Sequence, residues 1–216
     1  MKKGLCTILM LLSVYGLFAQ AEDKYMAAMK ARVEVLDQHA TPQQWLESSN
    51  AFQRIADAEQ TKWLPYYYAS LGQVMYGFMS MGDGGNPEYS DPIADKAEEL
   101  LNKASALTDP HAELEILKKM IANLRMMGDP MTRWQTYGAI GQEAMAKARK
   151  MSPDNPRLFL LEAQDKFYTP KEFGGGRELA KPIFDSALVK YEQFKPESPI
   201  HPNWGLSQVK YFLTQY

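Results

Sequence analysis

The hydrophobic positions of this chain recur three and four residues apart along most of its length, which is the spacing of one face of an α-helix. No stretch longer than a few residues alternates strictly between apolar and polar side chains, as a half-buried strand does. The pattern therefore predicts an all-α fold of about nine helices. Their expected spans are 22–39, 42–59, 63–81, 91–107, 110–127, 130–151, 156–168, 175–194 and 203–215.

The predicted breaks combine a capping side chain with a proline. Asparagine, aspartate and threonine cap helices well, and proline is tolerated at the first helical position because its missing N–H would be unpaired there. Such pairs end one helix and begin the next at Thr41-Pro42, Asp109-Pro110, Asp129-Pro130 and Asn155-Pro156. Longer interruptions rich in glycine, proline and serine are expected at 81–92 and 195–203.

Every second predicted helix carries a triplet of small, large and small residues at offsets zero, four and seven. These offsets lie on one helical face, where small residues allow a neighbouring helix to approach closely. The steps between triplets are 46, 44 and 39 residues, which indicates an internal repeat. The four triplets are Ala51-Ile55-Ala58, Ala97-Leu101-Ala104, Gly141-Met145-Ala148 and Ala180-Phe184-Ala187.

This arrangement resembles the tetratricopeptide repeat, a pair of antiparallel helices. Tyr68, Leu71, Gly72 and Met75 match the signature of the first helix, while the segment from Ala97 to Pro110 matches the second. The resemblance implies an α-solenoid of stacked helix pairs whose first helices line a concave face. It also implies that Tyr68, Tyr76 and Gln73 contact a partner there. The last helix, which presents Trp204, Val209, Phe212 and Leu213, is expected to cap the open end of the array.

The N-terminal segment has the three regions of a secretory signal peptide. Lys2 and Lys3 precede an apolar run from Gly4 to Phe18, and the small-residue sequence Ala19-Gln20-Ala21 follows. We therefore expect residues 1–21 to be a signal peptide and 22–216 to be one helical repeat domain. The alternative is an uncleaved anchor, although the run is shorter than the roughly 20 residues of a membrane span. An exported protein of the periplasm or the extracellular space is expected.

Composition narrows the possible chemistry. Cys6 lies in the signal segment, so the mature chain has no thiol for disulfides, catalysis or cysteine-ligated zinc. Removal of that segment takes away Lys2 and Lys3 and no acidic residue, so the formal charge changes from −2 to −4. Without a basic excess, the protein is not expected to bind nucleic acid. Stable insertion in a membrane after signal cleavage is not expected either.

Three consecutive glycines, Gly174 to Gly176, stand before a predicted helix, as in some phosphate-binding loops. A P-loop would continue with Gly-Lys-Ser or Gly-Lys-Thr, but here Arg177 and Glu178 follow and no strand precedes. The glycines are therefore interpreted as a corner between two helices. The alternative keeps the bare N–H groups of the helix start, with Arg177, as a site for a carboxylate or sulfate.

No catalytic or metal-binding motif is recognisable. His39, His111 and His201 lie far apart, without the spacing of a metal site, and no hydrolase nucleophile motif is present. Asp83, Asn86, Glu88 and Asp91 could offer oxygen ligands to calcium, although not at EF-hand spacing, so an exposed loop is favoured. We expect no enzymatic activity and no cofactor.

Aromatic side chains provide the best candidates for binding. Within 62–78, Trp63, Tyr67 and Leu71 form one helical stripe, interpreted as core, and the surplus tyrosines could line a groove. The leading hypothesis is a non-catalytic scaffold that binds a protein or peptide in the cell envelope. The alternative is a small-molecule-binding or transport-accessory protein whose pocket is lined by Tyr67, Tyr68, Trp134 and Tyr137. The candidate binding residues are Tyr67, Tyr68, Gln73, Tyr76, Trp134, Tyr137 and Arg177.

Overall fold

The computed structural model describes residues 20, 22–82 and 85–216. These residues form nine α-helices and no strand, which confirms the all-α prediction. All but one of the residues expected to form the signal peptide lie outside the described part. The helices are α1 (22–33), α2 (Pro42–Glu59), α3 (Trp63–Ser80), α4 (Pro87–Ser105), α5 (Ala112–Gly128), α6 (Pro130–Met151), α7 (Pro156–Tyr168), α8 (Arg177–Gln193) and α9 (Leu206–Leu213), with 3-10 turns at Leu36–Gln38 and Lys171–Phe173.

Most helix starts follow the local capping chemistry. The Thr41 side chain accepts from the Gln44 N–H while the Gln44 side chain accepts from the Thr41 N–H, which satisfies two donors at the start of α2. Asp129 and Asn155 cap α6 and α7 in the predicted positions. Helix α5 begins two residues later than expected, because His111 is its N-cap and accepts from the Glu113 N–H through Nδ1.

Helix α4 begins four residues before the predicted start at 91. Asn86 caps the N–H of Glu88 and Pro87 occupies the first helical position, so the helix starts here and runs through Pro92. The 81–92 interruption is thus shorter than predicted. An Asp-Pro pair such as Asp91-Pro92 marks a helix start only where the residues before it do not already form a cap, as Asn86 and Pro87 do here.

The helices stack as consecutive antiparallel pairs. Each helix from α2 to α5 packs along the next, and α7 packs along α8, whereas α6 and α7 touch only slightly. One continuous hydrophobic core runs through the stack and includes Phe52, Leu71, Leu117 and Phe184. The predicted α-solenoid of helix pairs is therefore the observed architecture.

Three of the four small-large-small triplets face the neighbouring helices, since their small residues are buried on α4, α6 and α8. The triplet predicted on α2 is wrong, because Ala58 is exposed. Ser49 and Ala56 take the two small positions instead, two residues earlier. The register is set by Gly72 of α3, where an added Cβ would lie 2.8 Å from the Ser49 Cβ.

The C-terminal segment 195–205, here called the strap, crosses the face of α3. Tyr68 donates its hydroxyl to the Ile200 carbonyl at 2.9 Å, and the Trp204 indole N–H donates to the Tyr67 hydroxyl at 2.8 Å. Trp204 is thus a core residue of the strap and not part of the capping helix, contrary to the prediction. Helix α9 packs on α8, as a cap would, and buries Val209 and Phe212.

Asp37 connects the two ends of the stack. Its carboxylate accepts from the N–H groups of Gly205 and Ser207, so it caps the start of α9 from the 3-10 turn that follows α1. This contact explains why the first helix ends at 33 and not at 39: the turn brings Asp37 to the N-terminus of α9.

Candidate functional site

The predicted binding tyrosines of α3 are in the core. Tyr67 and Tyr68 are buried, and Phe52 stacks on the Tyr68 ring with centroids 4.8 Å apart. Gln73 is also buried and donates to the Ser49 hydroxyl at 2.9 Å. Tyr67 and Tyr68 therefore bind the chain's own strap, whereas Gln73 joins α3 to α2.

A buried polar network lies beneath the strap. The Glu113 carboxylate accepts from the Arg157 guanidinium, from the Asn155 amide at 2.6 Å and from the Tyr67 hydroxyl at 3.0 Å. All four side chains are buried, and Trp204 extends the network by its bond to Tyr67. The Arg157 Nη1 has no hydrogen-bond partner among the described residues, but its guanidinium lies over the Phe194 ring at 4.8 Å.

Burial determines the ionisation of this network. Desolvation raises the pKa of Tyr67 well above its usual value, and the nearby Glu113 carboxylate raises it further, so the phenol stays protonated and can donate. Burial alone would lower the pKa of Arg157, but the Glu113 charge and hydrogen bond, together with Tyr191 and Tyr67, outweigh that effect and the pKa is raised. The network is a buried ion pair whose hydrogen bonds join α3, α5, α7 and the strap.

Tyr76 and Arg177, two further candidates, lie at different ends of the molecule. Tyr76, near the C-terminal end of α3, accepts a hydrogen bond of 3.2 Å from the half-exposed Tyr89. Arg177 begins α8, places its guanidinium 4.9 Å from the Phe167 ring centre and donates to the Gln215 carbonyl. The two residues do not share a site.

The three glycines before Arg177 form the predicted corner. Gly174 and Gly176 have φ angles of +80° and +118°, which favour glycine. A Cβ on Gly175 would come 2.1 Å from the Thr169 carbonyl oxygen, so the chain folds back tightly on the end of α7. The alternative anion site at this helix start remains a prediction.

Trp134 and Tyr137, the last two candidates, lie one turn apart on α6. Trp134 is 59% exposed. Tyr137 contributes to an open groove of about 210 Å³ that we call the α4–α6 groove, because α4 and α6 form its walls above α5. The pocket predicted from four aromatic residues does not form, since Tyr67 and Tyr68 lie in the core. Of the two candidates on α6, Tyr137 lines the α4–α6 groove.

The α4–α6 groove has an apolar floor with charged edges. The apolar side chains are Leu101 of α4, Leu114, Ile121 and Ala122 of α5, and Ile140 of α6. The sequence pattern did not predict this surface, because it assigned Leu101 to a small-large-small triplet that packs against a neighbouring helix. In the structure the surface is marked by Ile140, whose side chain is 37% exposed. No local sequence pattern indicates that exposure.

Charges of both signs surround this floor. Lys118 and Arg125 are the cations, and Arg125 is held between Asp95 and Glu98 at 2.7 Å from each. Glu115 also lines the groove, and its buried Oε2 has no hydrogen-bond partner among the described residues. The groove can therefore hold an apolar body and meet polar groups at its rim.

No group of three or more histidine, aspartate or glutamate side chains in the described residues is arranged to hold a metal ion. His111 accepts a backbone N–H through Nδ1, so its neutral ring carries the proton on Nε2, which faces the Glu197 carboxylate at 3.5 Å. Of the candidate calcium ligands, Asn86 caps α4 and Asp91 pairs with Arg133, while Asp83 lies outside the described residues.

Four large apolar side chains are exposed at the end of the molecule formed by α7, α8 and α9. Tyr168 and Tyr211 lie on either side of Phe212, with ring centroids 6.0 and 5.7 Å from it. Phe173 and Leu179 extend this surface, which we call the C-terminal aromatic face. None of the described helices is long and apolar enough to span a bilayer.

The fold and the groove define an all-α protein of stacked helical hairpins with an apolar concave surface. No protein-family model matches this chain, and no curated protein matches it either. Among solved structures it is similar to the HusA haemophore from Porphyromonas gingivalis, with 31% identity, a TM-score of 0.75, and coverage of 88% of this chain and 92% of that one. The chain belongs to the same family as this haemophore.

Proposed function

We propose that this protein is an exported, non-enzymatic carrier that binds a flat, amphipathic ligand of the haem type in the α4–α6 groove. The observation that carries the proposal is the combination of similarity to a haemophore over nearly the whole chain with an apolar groove edged by charged side chains, among them Lys118. Its helix pairs are interpreted as degenerate tetratricopeptide units, and its first 21 residues as the export signal.

The chemistry of the groove fits such a ligand. Ligand sites are concave and mostly apolar, with a few polar groups that fix orientation. Ile121 and Ile140 would contact the macrocycle, Tyr137 would pack against its edge, and the Lys118 ammonium would meet its carboxylates. A groove of about 210 Å³ is too small to enclose a macrocycle, so one face of the ligand would stay accessible for transfer.

The proposal is tested by titrating the protein with haemin and following the absorbance of the bound form. Ile140→Glu places a charge on the groove floor, and Tyr137→Ala removes an aromatic contact. Loss of such an apolar contact should weaken binding by about tenfold or more. Val189→Glu is the matched control, because Val189 is an exposed aliphatic residue on α8, away from the groove.

Equal affinity in Ile140→Glu and Val189→Glu would show that the ligand lies elsewhere. Absence of saturable haemin binding by the wild-type protein would contradict the function itself. Circular dichroism of each variant separates loss of the site from loss of the fold.

A second candidate function is a scaffold that binds a protein in the envelope, and the C-terminal aromatic face favours it. Exposed apolar patches of this kind mark interaction sites, and Phe173 is 78% exposed at the tip of its turn. Capture of partners from an envelope fraction by the wild-type protein, and not by the Tyr168→Ser, Phe173→Ser variant, would support this function. Identical captured proteins would contradict it.

A further inference from the structure

A second cavity shares no lining residue with the α4–α6 groove. It has a volume of about 470 Å³ and lies between the segment 32–39, at the end of α1, and residues 44–54 of α2. Arg32 and Val35 line one side, and Ser48, Ala51 and Arg54 line the other. Unlike the groove, this cavity is bounded mainly by polar and charged side chains.

The two arginines of the cavity differ from the other five in the chain in their lack of a polar partner among the described residues. Arg32 and Arg54 have no carboxylate within 4.0 Å and no hydrogen-bond partner among the described residues, and they line the same cavity. A guanidinium presents a fork of N–H donors that matches carboxylate and phosphate oxygens. The other five each have a partner: Arg125 with Asp95 and Glu98, Arg133 with Asp91, Arg149 with Glu162, Arg157 with Glu113, and Arg177 with the Gln215 carbonyl.

The charged side chains that line the cavity carry a net positive charge. Glu47 is the single acidic residue of the lining, and its Oε1 already accepts from Gln43 at 2.9 Å. The His39 ring is hydrogen-bonded to the Ser48 hydroxyl at 2.6 Å and packs edge-on against Trp45. Asn50 adds an amide that makes no hydrogen bond within the described residues. The lining thus offers two cations and neutral donors against one acid.

We propose that this cavity is a second binding site, specific for a small organic anion that carries at least two anionic oxygens as carboxylate or phosphate. Arg32 and Arg54 bind these oxygens from opposite walls, and Asn50 contacts the polar body of the ligand. A cavity of about 470 Å³ has room for an organic body beside the anionic oxygens. This site is independent of the proposed haem-type ligand, because no residue lines both the cavity and the groove.

Calorimetric titration with citrate and with phenyl phosphate, at physiological ionic strength, tests the site. The double variant Arg32→Gln, Arg54→Gln should bind at least about tenfold more weakly, because two charge-assisted contacts are removed. The control variant Lys150→Gln, Lys195→Gln removes the same charge from exposed positions outside the cavity and should bind like the wild type. The relative affinities of the two probes distinguish a carboxylate ligand from a phosphate ligand.

Two outcomes would overturn this inference: no saturable binding of either probe to the wild-type protein, or an equal loss in the lysine control. The haemin titration provides an independent readout, since the double arginine variant should bind haemin unchanged. Both arginines are exposed, so the variant is expected to fold, and its melting curve verifies this.

Discussion

The carboxylate of Glu113 and the guanidinium of Arg157 form an ion pair that is almost completely shielded from solvent, with side chains 3% and 1% exposed. The pair joins α5 to α7 and so links the helices before and after the slight contact between α6 and α7. Tyr67 and Trp204 connect it to α3 and to the strap. The second half of the stack is thus fastened to the first through a polar centre.

Removal of one partner should therefore be severe. We expect Glu113→Gln to lower the free energy of unfolding by about 3–5 kcal/mol, because Arg157 would stay buried without its counter-charge. Urea unfolding followed by circular dichroism measures the change. Glu162→Gln breaks the exposed pair with Arg149 and should cost only about 0–1 kcal/mol. A similar small effect of both substitutions would contradict the structural role of the buried pair.

The strap should be essential for stability. Trp204→Ala removes a buried indole and the donor to Tyr67, and we expect a loss of about 3–5 kcal/mol. Trp134→Ala, in which an exposed indole is removed, should change unfolding by less than about 0.5 kcal/mol. Deletion of 203–216 should make the protein insoluble or markedly less stable. An unchanged melting curve after that deletion would refute the packing of the strap.

Two helical glycines should respond in opposite ways to alanine. At Gly72 a Cβ would meet the Ser49 Cβ at 2.8 Å, so Gly72→Ala should force α2 and α3 apart and destabilise the protein by about 1–3 kcal/mol. At Gly138 no atom lies within 4 Å of an added Cβ, so Gly138→Ala should stabilise by up to about 1 kcal/mol through helix propensity. Thermal melts of the two variants would test both signs, and equal shifts would contradict the close approach at Gly72.

Stability should decrease as the pH falls below neutrality. Burial lowers the pKa of His39 and, against the opposing effect of Glu197, that of His201, so the folded state binds fewer protons than the unfolded state. The resulting stabilisation is complete above the unfolded pKa of about 6.5 and is lost as the pH falls toward the lower folded values. Around His201 the charged groups are Glu197, His111 and Glu113.

Melting temperatures measured from pH 7.5 down to pH 5 should show this loss. The variant His39→Gln, His201→Gln should have a flatter profile, because neither replacement titrates. Carboxylates with lowered pKa values, such as Asp91, titrate below this window and do not interfere. An identical slope in the wild type and the variant would assign the pH dependence to other groups.

Part of the site was within reach of the sequence. Trp134 and Tyr137 stand out as aromatic residues of an otherwise polar helix, and the structure places Tyr137 in the groove. Tyr67 and Tyr68 were equally good candidates for a binding surface by sequence. The sequence of a helix does not show whether its tyrosines face water or are covered by a distant segment of the chain. The difference lies in the strap, 132 residues after Tyr68, which no local pattern connects to it.

By itself the sequence determined the helical class, most helix boundaries and three of the four small-residue contacts, because these depend on periodicity, capping and volume within about 20 neighbouring residues. Only the tertiary structure decided that Tyr67 and Tyr68 of α3 bind the chain's own strap, that Gly72 shifts the register of α2, and that Arg32 and Arg54 line the same cavity. Those features arise from contacts between distant segments, whose geometry is fixed by packing of the whole chain.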